Sequence, residues 1–440
     1  MRTIHAAAAD IRQGRLSPVD LLDECLERID RFESRVRAWV LIDRDGARET
    51  AQQRHDEVKR GQWRGPLHGI PLGIKDIFDV FDWPTAAGSK LWANSIARQD
   101  ATVVKRLRDA GAVFLGKTVT TQYASFDPPV TRNPWNLERT PGGSSSGSAA
   151  AVACGMCLGA LGSQTGGSIT RPASYCGVAG LKPSFGRVSV EGVVPLAPSM
   201  DHVGPIAGCV RDLAILFRCI AKVWNREKGM GPIFQSPLPT PSLYWIGGLF
   251  ESRAAPIMRE RFNETVLRLR GSEIMIEEIP LPAAFGPIIE RHRTVMAVEA
   301  AAYHEPRLRR HPEDYDTCIR ALLAEGLATP APEFVRVKEH QEKLSGEMRY
   351  SSLGTDLVML CPATTGPAPA ADTTGDPAFN SPWSYTGLPT VSIPIGLSPD
   401  GLPLALQLVG QYEEEAKLLE AAAWCEEVLK VDLGEPRGVV

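Results

Sequence analysis

Two glycine turns that carry serines lie between Thr140 and Pro183: Gly142-Gly143-Ser144-Ser145-Ser146-Gly147-Ser148 and Gly166-Gly167-Ser168. Glycine lets a backbone approach a substrate closely and turn consecutive N–H groups toward one oxygen. In the second turn the N–H groups of Thr165, Gly166, Gly167 and Ser168 can gather around an oxyanion, with the Ser168 hydroxyl beside them as attacker. Such a serine needs a base. The stretch contains no histidine, and His202 lies well beyond it. The candidate base is Lys75, at the end of the apolar, β-prone run Gly69-Ile70-Pro71-Leu72-Gly73-Ile74-Lys75-Asp76. A lysine carried inward by such a strand is desolvated, which disfavours the ammonium form and leaves an amine able to accept a proton.

These residues need a scaffold that alternates strands with helices. Small and apolar residues between the two turns suit a short helix and then a buried strand. Upstream, Ser17-Pro18 opens a helix with an apolar face at Leu21, Leu22, Cys25, Leu26 and Ile29, followed by a strand from Trp39 to Ile42. Asp100 is placed as the cap of a helix that ends near Gly111. A helix over Val210 to Ala221, strands at Val391–Ile395 and Leu404–Val409, and a last helix from Glu413 to about Leu429 complete an α/β pattern.

The ordered set of motifs resembles the amidase signature family. GIPLGIKD comes first, GGSSSGSAAAV next, and the TGGS serine follows Ser144 by 24 residues. LKPSFGRVS, SMDHVGP, GLPTVSIPIG and GLPLALQLVG continue the match. The resemblance implies one amidase domain over residues 1–440, a single large α/β/α sandwich around a mixed sheet. Its signature core would span about 65–210, with a variable, mainly helical insert at about 225–350. It implies a Ser-cisSer-Lys triad of Ser168, Ser144 and Lys75, in which Ser144 relays the proton and is preceded by a cis peptide bond. The implied activity is hydrolysis of a small amide through an acyl-enzyme on Ser168, without metal or organic cofactor. The alternatives are the amidase-type subunit of a glutamine-dependent tRNA amidotransferase, a catalytically silent scaffold, and a preference for esters.

The second turn departs from the common D-T-G-G-S-I-R-x-P pattern of the family. Here it reads Gln164-Thr165-Gly166-Gly167-Ser168-Ile169-Thr170-Arg171-Pro172, a form that resembles the malonamidase-like branch. The resemblance assigns Arg171 to a substrate carboxylate, which its planar fork can grip with two hydrogen bonds. A structural pair with Asp201 or another acid is the competing reading. Gly142, Gly143 and Gln164 are assigned to the substrate side as well.

Three features imitate other chemistry. Gly111 to Thr118 satisfies the phosphate-loop pattern, but its middle residues read as a buried strand where a cradle needs a loop. Cys154-Gly155-Met156-Cys157 lacks the partners of a metal or redox site and reads as packing. His202 reads as a residue that supports the site from behind or simply packs, because Lys75 already fills the role of base. His292, His304, His311 and His340 read as scattered over charged helical surface and build no metal site.

A net charge of −4 supplies no basic field for nucleic acid and no polybasic membrane patch, so the expected partner is a small-molecule amide. Assembly stays open, a homodimer included. The nine scattered cysteines suggest reduced thiols, and neither a signal peptide nor an apolar run of membrane-spanning length is present, so the expected location is cytoplasmic.

Overall fold

The run Pro71–Lys75 is buried at every position and forms an interior strand of a large mixed sheet. This computed structural model describes residues 2–222, 234, 236–272, 274–349 and 357–439. In chain order the strands are β1 (Trp39–Ile42), β2 (Pro71–Lys75), β3 (Val113–Thr118), β4 (Gly159–Gln164), β5 (Ala179–Lys182), β6 (His202–Ala207), β7 (Ser242–Trp245), β8 (Ile276–Glu278), β9 (Leu357–Pro362), β10 (Thr390–Leu397) and β11 (Pro403–Val409). They pair in the order β1-β3-β2-β4-β6-β5-β10-β11-β9-β7-β8. Strands β3, β2 and β4 run parallel, as do β9, β7 and β8, while the central pairings are antiparallel.

Both faces of the sheet's interior are covered, which explains why strands such as β2, β3, β4, β6 and β11 are buried at every position rather than alternating. In β4, positions three apart point to opposite faces. A Cβ at Gly159 would meet Leu216 and Ile4, from helices on one side, whereas one at Gly162 would meet Ser145 and Ile169 on the other. The helix Ser146–Ala153, buried along its whole length, follows the first serine turn, and the helix Thr170–Cys176 follows the second. The α/β architecture expected from the sequence is the one observed.

Local signals hold in most places. Ser17 accepts a hydrogen bond from Val19 N at the start of the helix Pro18–Val36, and the phosphate-loop lookalike is β3. Asp100 differs from expectation: the helix begins at Thr102 without a side-chain cap, and Asp100 binds Phe81 N and Arg108 instead. The region expected as an insert contains the helices Pro256–Arg270, Ile288–Leu308, Thr317–Ala328 and Ala331–Arg349, and also β7 and β8, which extend the main sheet. The connector read after residue 224 lies largely outside the described residues, as does Asp356, the expected first residue of β9.

Candidate active site

Lys75 closes β2 with its side chain wholly buried. Its Nζ donates to Ser144 Oγ and to Ser163 Oγ, each at 2.7 Å. Burial holds its pKa well below the ordinary lysine value, and the Asp201 carboxylate offsets only part of that effect. Ser144 is placed by the first glycine turn, and the Gly143–Ser144 peptide bond is cis. Ser163 completes the lysine's surroundings from β4. The sequence reading misses it, although a hydroxyl in an otherwise small, apolar strand is a legible sign.

The turn bearing Ser168 is held by its carbonyls. Gln164 O faces His202 Nδ1 at 3.2 Å, and Thr165 O accepts from His292 Nε2 at 2.8 Å. Gly166 O accepts from Ser384 Oγ at 3.0 Å, Gly167 O from Arg171 N at 2.9 Å, and Ser168 O from Ser145 N at 3.3 Å. Among the described residues, nothing accepts from the N–H groups of Gly166, Gly167 or Ser168, and the Ser168 hydroxyl has no partner. A backbone with every carbonyl engaged and successive N–H groups free is a site for an anion. Ser145 N to Ser168 O also ties the two serine turns to each other.

The residues assigned to substrate divide. Gln164 is fully buried, and its Oε1 accepts from Ile169 N, Thr170 N and Thr170 Oγ1. It therefore props the start of the helix Thr170–Cys176. Gly142 has φ +81, and a Cβ there would meet Pro172 at 2.8 Å, while one on Gly143 would meet Thr374 at the same distance. Arg171 is buried, with Nη2 donating to Gly143 O at 2.7 Å and to Thr374 Oγ1 at 3.2 Å, whereas Nε and Nη1 have no partner among the described residues. The alternative pairing with Asp201 is not formed. That carboxylate accepts from Thr165 Oγ1, Leu196 N and Ala197 N.

A cavity of about 220 Å³ opens beside Lys75's partner Ser163, with Thr165 and Asp201 as further polar walls and Val193, Val194 and Leu196 among the apolar ones. His202 borders it. Its Nδ1 lies 2.6 Å from Met200 O, its ring stands edge-on to Phe185, and burial keeps it neutral. This agrees with the supporting or packing role expected for it.

The insert's histidines differ from expectation. His292 and His304 are buried, not spread over a charged surface. Ile288, His292, Val295 and Met296 follow helical spacing on one buried stripe, so the burial of His292 is readable from its apolar neighbours. Cys154 and Cys157 are buried, and burial pushes both thiols up to about 12, which makes them packing residues. Among the described residues, one group could gather ligands around a metal: His5, Cys209 and Asp212, away from the serines. Asp212 already caps the first helix through Ile4 N and His5 N.

Comparison with known proteins gives the family. A family profile described as Amidase matches residues 20–353. The glutamyl-tRNA(Gln) amidotransferase A subunit of Syntrophus aciditrophicus is 32% identical over 99% of this chain and 98% of its own. The peptide amidase of Stenotrophomonas maltophilia superposes with a TM-score of 0.85 at 29% identity, covering 99% of this chain and 98% of that one. An inhibitor-bound protein complex that bears on the origins of an s-triazine catabolic enzyme superposes with a TM-score of 0.90 at 29% identity, covering 98% and 99%. Matched along nearly its whole length, and with the lysine and the two serines characteristic of the group in one place, the chain belongs to the amidase signature family of carbon–nitrogen hydrolases.

Proposed function

We propose that the chain works as one amidase unit that hydrolyses a small linear amide, with Ser168 as nucleophile, Ser144 as relay and Lys75 as base. The observation that carries this reading is the 2.7 Å contact between a buried lysine and Ser144, beside a turn whose N–H groups are free. Ser168 Oγ attacks the amide carbonyl and passes its proton to Ser144, whose own proton goes to neutral Lys75. The N–H groups of the Thr165–Ser168 turn stabilise the tetrahedral oxyanion. The relay then protonates the leaving ammonia or amine, and water releases the acyl group by the reverse path.

The unpartnered Nε and Nη1 of Arg171 favour a substrate that carries a carboxylate, as in the malonamidase-like form of the turn. We place the protein in the cytoplasm, acting alone or as a homodimer. No helix among the described residues is long and apolar enough to cross a membrane. A second reading rests on the 32% identity to the amidotransferase relative, and in it the same site would release ammonia from glutamine inside a complex.

Ammonia release from malonamate, malonamide, aryl and aliphatic amides and glutamine, by wild type beside Ser168→Ala, tests the proposal. Release that disappears in the variant is expected. Silence across the panel would refute a free-standing amidase and turn the search to a partner.

A further inference from the structure

We infer that His292 and Ser384 are positioning residues that aim the oxyanion-binding N–H groups of the Ser168 turn. The inference rests on the reading of Ser168 as nucleophile. A peptide unit is planar, with its carbonyl and the following N–H pointing in opposite directions. Fixing Thr165 O therefore aims Gly166 N–H, and fixing Gly166 O aims Gly167 N–H. The first carbonyl is fixed by His292 Nε2 at 2.8 Å and the second by Ser384 Oγ at 3.0 Å.

The other two carbonyls of the turn are held by nearby backbone, Gly167 O by Arg171 N and Ser168 O by Ser145 N. The peptide units ahead of Gly166 and Gly167 lack that support. Glycine also has the widest conformational freedom, so the turn is least restrained where its N–H groups must be most accurately placed. Their restraint comes from two remote side chains, one on the insert helix Ile288–Leu308 and one on the helix Ser381–Thr386.

The chemistry of His292 suits this task and no other at the site. A carbonyl only accepts, so Nε2 carries the proton. Burial holds the ring's pKa down to about 4, with Arg293 acting in the same direction, so the ring donates its hydrogen bond without bringing charge. Among the described residues His202 also interacts with the ring, and is itself neutral. A proton held toward Thr165 O leaves Nε2 unable to act as a base toward Ser168. The insert thereby supports the reacting turn directly, in addition to covering the sheet.

The test compares His292→Phe, which keeps a ring but no donor, with His292→Gln, which offers an N–H at similar reach. Ser384→Ala removes the second donor. Two quantities are measured: kcat and KM for ammonia release from the best small amide, and the rate of Ser168 modification by a fluorophosphonate. Loss of a direct oxyanion donor costs about 100- to 1,000-fold in kcat, so loss of a positioning donor should cost roughly 10- to 100-fold. We expect that loss in His292→Phe and Ser384→Ala, with KM within about threefold, a parallel slowing toward the fluorophosphonate, and recovery to within about fivefold in His292→Gln. Phe and Ala variants that react like wild type would overturn the inference, as would a Gln variant as slow as Phe, which would indicate packing alone. Should the Phe variant fail to fold, Ser384→Ala decides by the same two rates. Wild type that forms no adduct at Ser168 would instead overturn the assignment of the nucleophile.

Discussion

The ammonium of Lys117 stands 2.8 Å from the carboxylate of Asp76, one residue beyond Lys75, and neither side chain is exposed. Lys117 also donates to Pro84 O and Thr85 Oγ1, so the pair fastens the loop after β2 against β3. The GKT that imitates a phosphate loop thus serves to anchor the strand end that presents Lys75. Removing one partner leaves a buried charge without compensation, which costs about 3–5 kcal/mol. Lys117→Met and Asp76→Asn should each lower stability by roughly that much in urea unfolding. The double variant should lose much less than the sum. Single variants with wild-type midpoints would show that the pair contributes nothing to stability.

Arg171 has two possible occupations, and the structure shows one of them. Nη2 already serves Gly143 O, next to Ser144, while Nε and Nη1 have no acceptor among the described residues. Arg171→Lys keeps the positive charge but loses the planar fork. Turnover of malonamate should fall at least about tenfold further than turnover of a neutral amide of the same size, since a bidentate charge-assisted contact is lost only by the former. Equal losses for both amides would assign Arg171 to holding the Gly143 turn and remove it from substrate selection.

The proposed reacting centre is legible in the sequence because its chemistry restricts residue types. A serine among glycines and a lysine closing an apolar strand have few alternative roles, and the two turns and β2 meet as the motifs imply. What escapes a sequence reading is support made through main-chain carbonyls. His292 and Ser384 bind carbonyl oxygens that every residue possesses, so no motif marks the positions they must occupy. Gln164 shows the converse. Its place beside the turn suggests a substrate contact, but an amide oxygen at the start of a short helix finds the N–H groups of Ile169 and Thr170 first. Asp100 misleads because capping residues are also good partners for loop N–H groups and arginines, and here both compete for it.

Glu426 makes stability depend on pH far from the serines. It accepts from Val210 N, and burial raises its carboxyl to about 7 from an ordinary 4.5. The folded state therefore holds a proton that the unfolded state releases, so its contribution is complete below about pH 4.5 and is lost as pH rises through 7. Glu426→Gln keeps an acceptor for Val210 and cannot ionise. It should be the more stable protein at pH 8, by at most roughly 3 kcal/mol, with the advantage fading toward pH 4. A stability difference that stays flat across that range would contradict the raised carboxyl.

Lys75 makes the opposite kind of pH argument and joins it to catalysis. Its pKa in the folded state lies well below 10.5, whereas the unfolded chain keeps the proton up to that value. Between the two values unfolding takes up a proton, so the penalty for burying Lys75 shrinks as pH rises and vanishes near 10.5. Lys75→Met removes that penalty. Its stability advantage over wild type should be larger at about pH 6 than at about pH 10 in paired urea titrations, and an advantage independent of pH would mean that the lysine keeps an ordinary pKa. Activity supplies the second half of the test. Lys75→Arg retains a cation but cannot release a proton, so a merely electrostatic role would survive the change while a base would not. The expected result is a fall of roughly 100- to 10,000-fold in kcat with the fold intact by circular dichroism. Wild-type kcat/KM should rise with pH through an apparent pKa well under the ordinary lysine value, as neutral amine becomes available. An arginine variant that turns over at a wild-type rate would remove Lys75 from the proton path and leave Ser144 without a base.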